Sequence, residues 1–582
     1  MFIAHRVDFA TMREPLKKLA VCLLLCTAAL PHPACTPRQY ASQADRAAYA
    51  SAESARKKAA LEAASFTIQY RPFTPATPPA SSQPVIVIGD KNITVGGGPP
   101  VALTLEESLE IAFRNSRAFQ DAKEGLFLDA LAVSSARHGW DYPFPGGDIS
   151  ADAKADKIGQ GPDVNTGAVS AQPTLVQKLR QGGLLTLGYG VNLLTDFTGW
   201  NNTTVGSALT ANFTQPLLRN AWNDFAYEPL YRMERNLLFA AYEYERFTQS
   251  FAADIVTRYY NVLRRRDVLT NDVANIERLK DTFALTRVQV EGGQVSQIEK
   301  DQAEQNLLDA QVRYEQNQQA YRSGLDQFKI AIGLPVRADI ELDYPAALEK
   351  LSQAGPQKLP IEEAQAIEVA FQTRPDVLAA GASVRDAERN VQIAANQFLP
   401  QLDLQLGISA PGTPPRRFAR TQFQRTERFA AVNFDYPIDQ TSNRDAYRQS
   451  LIAQDKARRD LALFLDGVRL EVRESYRTLL VSRSSYDIQV HSLEIAKRRR
   501  KLAALQQKEG QASARDVLEA EQALLSAQNA LAQALVDYTT TRLNFLGKLG
   551  MLSVDEKGQI HERTQSFEFN AVGRRYPYVQ QP

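Results

Sequence analysis

Apolar residues recur along this chain with two different periods. Spacings of threes and fours dominate two stretches, GQVSQIEKDQAEQNLLDAQ at 293–311 and GQASARDVLEAEQALLSAQ at 510–528, which superpose after a shift of 217 positions. Gly293, Gln294 and Ser296 fall on Gly510, Gln511 and Ser513. The same shift carries Tyr259 onto Tyr476, and Phe328, Ile332 and Gly333 onto Phe545, Leu549 and Gly550. Self-similarity at one fixed offset marks a duplicated structural unit. Leu230 to Glu291 contains neither Gly nor Pro, and Thr441 to Glu509 contains only Gly467, so each run predicts one continuous helix. A helix of roughly 60 residues is about 90 Å long. Gly292-Gly293 and Gly510 then predict a turn and a returning helix. The returns carry apolar or small seams, Ala303, Leu307, Ala310 and Tyr314 through Ile332, and Ala520, Leu524, Ala527 and Leu531 through Leu549. That spacing is a coiled-coil seam.

Between the helices the period changes to two. Leu402 to Ser409 and Leu185 to Leu193 alternate apolar with polar or small residues, and Ile149–Lys154 and Leu209–Thr214 do so more weakly. Alternation puts one face of a strand in an apolar medium and the other in water. In a soluble sheet the apolar face packs on a core, but these strands are flanked by long rods that offer none. Alternating strands of about ten residues are also those of a membrane β-barrel. The loops at 159–165, 199–204 and 411–428 are long and polar, as at an external rim. Pro216 and Pro437, in matched segments Phe213–Leu217 and Phe434–Ile438, are expected at the barrel–helix junction, ending sheet pairing and starting the long helix. Thr104 and Glu107 fit a capping box that opens repeat one. Repeat two opens similarly at Ala366–Phe371, offset by 258, so repeat one holds about 40 extra residues, placed within 145–215.

Net charge is +1 over 582 residues, so nothing favours nucleic acid as a partner. Beyond the N-terminus no run of 18 apolar residues exists, so no membrane helix is expected in the mature chain. Residues 1–34 form a sorting signal with a basic region (Arg13, Lys17, Lys18) before the apolar run Leu19–Leu30, and Met12 is a candidate start. Cys35, after Ala34, resembles a lipoprotein cleavage site, with His32 where leucine is usual. Lipidation at Cys35 stands against an ordinary signal peptide with a leftover cysteine. Residues 35–100 are expected to be a polar tether, 101–335 repeat one, 336–360 a linker, 361–552 repeat two and 553–582 a disordered tail. The five histidines (His5, His32, His138, His491, His561) pair with nothing at metal-ligand spacing, and no nucleophile or phosphate motif is present. No catalytic residue, metal or cofactor is expected. The basic runs Arg264–Arg266 and Lys497–Lys501 read as solvated helix faces.

The duplicated helix–strand–strand–helix–helix unit, the junction Thr214-Gln215-Pro216-Leu217-Leu218 and the hairpin Gly510…Asp516-Val517-Leu518-Glu519-Ala520 together resemble the TolC family of outer-membrane efflux proteins over roughly 101–552. The resemblance implies an α+β membrane protein: a homotrimer whose coiled-coil hairpins form an α-barrel across the periplasm, joined to a transmembrane β-barrel in outer-membrane lipid. It implies a channel of a tripartite efflux or type I secretion system, docked on a periplasmic adaptor and an inner-membrane RND or ABC transporter. Gly293, Ser296, Gly510 and Ser513 then mark hairpin tips that contact the adaptor. Asp516 and Glu519 match the family's paired acidic positions at the periplasmic entrance, whereas repeat one has Glu299 and Gln302, and an arginine of some relatives is Ala512 here. The family usually has four strands per chain, and an alternating hairpin at 168–195, turning at Gln181-Gly182-Gly183, departs from that. The rival reading is a structural coiled-coil lipoprotein of the envelope.

Overall fold

The computed structural model describes residues 37–58, 67–68, 85–88, 91–141, 144–156, 164–196, 202–356, 361–411, 425–509, 511–555 and 557–562. Cys35, the signal segment and Gly510 lie outside them. The described chain divides into two compact units. One holds Met1–Ser54, Asp129–Leu237 and Ala387–Gln454, and the other Ala55–Leu128, Leu238–Asp386 and Asp455–Pro582.

In chain order the helices are α1 (Pro37–Lys58), α2 (Leu105–Asn115), α3 (Arg117–Asp141), α4 (Asn223–Ala226), α5 (Glu228–Glu291), α6 (Gln297–Ala331), α7 (Ala346–Ala354), α8 (Glu363–Thr373), α9 (Pro375–Asn396), α10 (Thr441–Lys508) and α11 (Ala514–Lys548). The strands are β1 (Val85–Ile88), β2 (Lys91–Thr94), β3 (Val101–Leu103), β4 (Phe144–Asp156), β5 (Val164–Lys178), β6 (Leu184–Asp196), β7 (Asn202–Pro216), β8 (Ile340–Leu342), β9 (Gln401–Pro411), β10 (Glu427–Asp435), β11 (Leu552–Val554) and β12 (Ile560–Glu562).

The helical unit carries the duplication down to single bonds. The long helices α5 and α10 run for 64 and 68 residues, and both return helices for 35. Their seams are buried: Ala303, Ala310 and Phe328 on α6 have counterparts in Ala520, Ala527 and Phe545 on α11. Each return helix ends in a glycine with positive φ, Gly333 at +80° and Gly550 at +70°. There Leu334 donates to the Lys329 carbonyl and Met551 to the Leu546 carbonyl, the bond that closes a left-handed helix end. A Cβ on Gly333 would meet the Asn115 carbonyl at 2.3 Å, and one on Gly550 the Thr373 carbonyl at 3.1 Å. The Tyr259 hydroxyl donates to the Leu103 carbonyl and Tyr476 to Ile361, again equivalent places. Burial pushes the Tyr259 phenol well above its ordinary value. The expected capping box is present: Glu107 N–H donates to the Thr104 hydroxyl and Thr104 N–H to the Glu107 carboxylate.

Three segments hold more structure than their polarity suggested. Within 35–100, α1 buries Ala48, Ala52 and Ala55, and β1 pairs with β2. The backbone N–H groups of Gly96, Gly97 and Gly98 and the Thr94 hydroxyl all donate to Asp339, whose carboxyl these bonds hold below the usual range. The linker region contributes β8, which pairs in parallel with β3 and buries Ile340 and Leu342. The start of the tail folds back as β11–β12. Asp555 accepts from the N–H groups of Lys557 and Gln559 in its turn, and Glu562 binds Arg542. Short strands of three or four residues have too few positions to reveal a period.

In the other unit six strands form one antiparallel sheet, in the order β10-β9-β7-β6-β5-β4. It is an open sheet in the single chain. The extra residues of repeat one are β5 and β6, so this chain has six strands in the sheet where the resemblance implied four. Pro216 is the last residue of β7, opposite Asp403, and Pro437 follows β10. Both stand near where their strands end, although Leu217 N–H still donates to the Leu402 carbonyl beyond Pro216, and neither starts its helix. After Pro216 the chain passes through Asn220 and Trp222, both at positive φ, before α5 begins at Glu228. After Pro437 it is Asp439 that caps α10, accepting from Thr441 N–H. Among the described residues no helix is long and apolar enough to cross a membrane.

Candidate functional site

The sheet has two chemically distinct faces, set by its register. On one, Ile149 stands opposite Ala171, Ala171 opposite Val191, Leu187 opposite Ala211, Phe213 opposite Leu406 and Leu404 opposite Val432. The alternate positions set Ser150 against Ser170, Ser170 against Asn192, Thr186 against Asn212, Thr210 against Ser409 and Asp403 against Asn433. The two serine hydroxyls are 2.7 Å apart across β4 and β5. Every strand contributes an exposed large apolar side chain to the first face: Ile149, Leu175, Leu187, Leu209, Ile408 and Val432 are 38% to 67% exposed. Burying such a side chain is worth about 1.5–3 kcal/mol, so this surface leaves on the order of 10 kcal/mol unrealised in water. An apolar patch of that extent marks an interaction surface.

Aromatic and basic groups gather where the sheet meets its helices. Trp140 packs edge-on against Tyr227 at 5.0 Å, Lys178 lies over the Trp140 ring, and the Arg180 guanidinium lies 5.2 Å from the Tyr227 centroid. Trp222 is largely exposed. Amphipathic rings beside cations suit the boundary between hydrocarbon and water. Glu228, the first residue of α5, is buried and held by Arg235 at 2.6 Å and Arg389 at 3.2 Å.

In the helical unit the two tips are built alike. Gly293 has φ +70°, and Gln294 N–H donates to the Gln289 carbonyl at 2.8 Å. The equivalent bond, Gln511 to Gln506, is also 2.8 Å. Ser296 and Ser513 are the N-caps of α6 and α11, their hydroxyls accepting from Glu299 and Asp516 N–H. Gly293, Ser296 and Ser513 are exposed, as expected of tips.

The acidic pair behaves less simply than its spacing implied. Asp516 completes the capping box of α11: its carboxylate accepts from the Ser513 hydroxyl at 2.7 Å and the Ser513 N–H at 3.0 Å, which holds its pKa below the usual range. Glu519 is exposed and paired with Arg499 at 3.5 Å and Arg515 at 3.4 Å. Both carboxylates reach water, but Glu519 has cations beside it in its own chain. The basic runs are correspondingly less free than expected. Arg500 binds Glu521, Arg266 binds Glu341 at 3.2 Å and Arg265 donates to the Ala320 carbonyl.

The strongest polar link behind the tips was not singled out from the sequence. Glu521 on α11, 2% exposed, accepts from Arg278 of α5 at 2.5 Å and Arg500 of α10 at 2.7 Å. A signal was present, because Glu521 lies three or four residues from Val517, Leu518, Leu524 and Leu525, on the apolar stripe of its helix. Leu518 itself packs with Leu279, Ala303 and Ala310, joining the two hairpins.

Residues 366–550, most of repeat two, match the family model for outer membrane efflux proteins. Solved structures extend the likeness beyond that repeat. The MtrE outer membrane channel of Neisseria gonorrhoeae, captured in its open state, aligns over 84% of this chain and 98% of its own, with a TM-score of 0.57 and 16% identity. The CmeC outer membrane channel of Campylobacter jejuni aligns over 85% and 97%, with a TM-score of 0.55 and 15% identity. The outer-membrane channel OprN covers 77% of this chain and 89% of its own, with a TM-score of 0.56 and 16% identity. The chain has the fold of the outer-membrane efflux channels. No curated protein sequence matches it significantly.

Proposed function

We propose that this chain is the outer-membrane channel of a tripartite efflux or type I secretion system. Three copies close their sheets into a β-barrel in the outer membrane, and their helical hairpins line a tunnel through the periplasm. The tips at Gly293, Ser296, Gly510 and Ser513 dock on a periplasmic adaptor, which couples the channel to an inner-membrane RND or ABC transporter, and solutes or proteins leave through the tunnel. The observation that carries this reading is the sheet: six strands with one continuous apolar face left exposed and a polar face opposite. Lipid satisfies the first and a water-filled lumen the second. Cys35 is the proposed lipid anchor, and loss of acyl labelling in Cys35→Ala tests it.

Asp516 and Glu519 are proposed to line the entrance, where three copies bring six carboxylates together. Such a ring favours cations and binds polyvalent ones that block flow, although Arg499 and Arg515 offset part of the Glu519 charge. The test is planar-bilayer conductance of the purified protein and of Asp516→Asn/Glu519→Gln. Open pores are expected, with cation selectivity and polyvalent-cation block both reduced in the variant. A protein that forms no pores and fractionates away from the outer membrane refutes the channel and leaves a structural envelope protein. Pores whose selectivity and block survive the substitutions place the gate elsewhere.

A further inference from the structure

The strands β5 and β6 are built into the sheet. They are 15 and 13 residues long, at least as long as β9 and β10, and each is paired along its length. Both faces run across them without a break, Leu187 meeting Ala211 on the apolar side and Thr186 meeting Asn212 on the polar side. Their turn is locked into the junction with the helices. The Gln181 carbonyl accepts from the Gln215 amide and from Trp222 N–H, each at 3.0 Å. Gly182 sits at φ +90°, where a Cβ would lie 3.0 to 3.2 Å from Ala226, the Asn220 carbonyl and Pro216. An appended surface loop shares no such fit with the wall beside it.

The two edges of the sheet are β4 and β10, and six alternating strands make these edges run in opposite directions. A second copy can therefore continue the sheet antiparallel, β4 against β10, so no unpaired backbone faces lipid. We infer that the barrel of this channel has eighteen strands, three copies of six, and a correspondingly wide aqueous outer pore. This inference rests on the trimeric channel reading above. With strands about 4.8 Å apart and tilted by roughly 40°, twelve strands enclose about 24 Å between backbones and eighteen about 36 Å. A pore of that width admits chains and folds of small-protein size, so the barrel does not select cargo, and selection falls to the helical tunnel and its entrance.

The test uses the full chain in outer-membrane vesicles, with single cysteines read by a membrane-impermeant maleimide. Thr186→Cys and Leu187→Cys probe β6, and Gln405→Cys and Leu406→Cys probe β9, which the four-strand pattern already contains. The expected result is alternation on both strands, with Thr186→Cys and Gln405→Cys labelled and Leu187→Cys and Leu406→Cys protected. Maleimide-bearing polyethylene glycols graded in size then measure the pore from outside at Gln405→Cys. A second variant replaces residues 157–201 with a two-residue turn, joining β4 to β7, and its size cut-off should fall by about one third. If β9 alternates while both β6 positions label, the hairpin lies outside the wall and the inference fails although the channel stands. If neither strand alternates, the channel reading fails as well. An unchanged cut-off in the shortened variant also overturns the inference, and if that variant does not assemble, the alternation on β6 decides alone.

Discussion

Glu521 is the residue whose removal should most loosen the region behind the tips. Its carboxylate is 2% exposed and links α11 to Arg278 on α5 and Arg500 on α10. Glu521→Gln keeps the shape but leaves Arg278, whose side chain is only 18% exposed, without its counter-charge, while Arg500, 36% exposed, can turn to water. Breaking a buried ion network in this way costs about 3–5 kcal/mol. At about 1.4 kcal/mol per decade, that is a rise of roughly 10² to 10³ or more in local opening. Hydrogen exchange read by mass spectrometry over peptides near 270–285 and 495–525 measures it. Glu519→Gln is the matched control, because its partners sit in water, where exposed pairs are worth about 0.2–1 kcal/mol, under about a fivefold change. Replacing the whole triad, Glu521→Leu with Arg278→Met and Arg500→Met, should recover most of the protection, since it removes the buried charges together. Equal exchange in Glu521→Gln and Glu519→Gln would refute the reasoning.

Other outcomes follow from the same geometry. Gly333→Ala should destabilise the fold by more than about 1 kcal/mol and by more than Gly550→Ala, because its Cβ meets a backbone carbonyl at 2.3 Å rather than 3.1 Å; denaturation midpoints rank the two. The Asp516 pKa is depressed, so its cap is intact above the unfolded carboxylate value and lost only as pH falls through the folded one. The tip should therefore be insensitive between about pH 5 and 8, and Ser513→Ala should move the acid onset upward, as read by the carboxylate infrared band identified with Asp516→Asn. Photocrosslinkers at Gln294 and Gln511 should capture the adaptor, and crosslinks arising only from mid-helix positions would move the docking surface away from the tips.

How much of this was legible in the sequence depended on the range of the interactions. The long helices were readable because their lack of Gly and Pro and their seams are local properties, and α5 and α10 end where glycine was expected to turn the chain. The strands of the sheet were readable because each is long enough to show a period. The Asp339 cradle was not, since its glycines lie more than 240 residues away in the chain. The junction was half legible. Proline does stand near the strand ends, but α5 begins later, at Glu228, which is buried and paired with Arg389 161 residues away, a contact no local pattern announces. At the tip the carboxylates were visible, and the Ser513-x-x-Asp516 spacing carries the same capping-box signal as Thr104 and Glu107, although it was not singled out from the sequence; the pairing of Glu519 was not legible, because it depends on Arg499 across the hairpin.

The two copies agree where backbone meets backbone and differ where side chains face water. A tyrosine bond to a carbonyl and a glycine against a carbonyl recur in both copies, because neither position can change without moving the chain. The tip positions carry no such constraint, since Gln302, Asp516 and Glu519 are exposed and Glu299 is half-buried, so copy one keeps Glu299 and Gln302 while copy two holds Asp516 and Glu519. On the trimeric reading, the second hairpin of each pair then brings two acids to the entrance and the first brings one. Glu299→Asp/Gln302→Glu gives the first hairpin the same acids at the same offset, adding three carboxylates to the ring. Because Ser296 already caps α6 through the backbone N–H of position 299, the shorter acid there keeps its N-cap partner and the turn is preserved. Cation selectivity and polyvalent-cation block in bilayers should both rise over those of the unmodified channel. An unchanged selectivity in this variant would mean that the first hairpin does not face the conducting path.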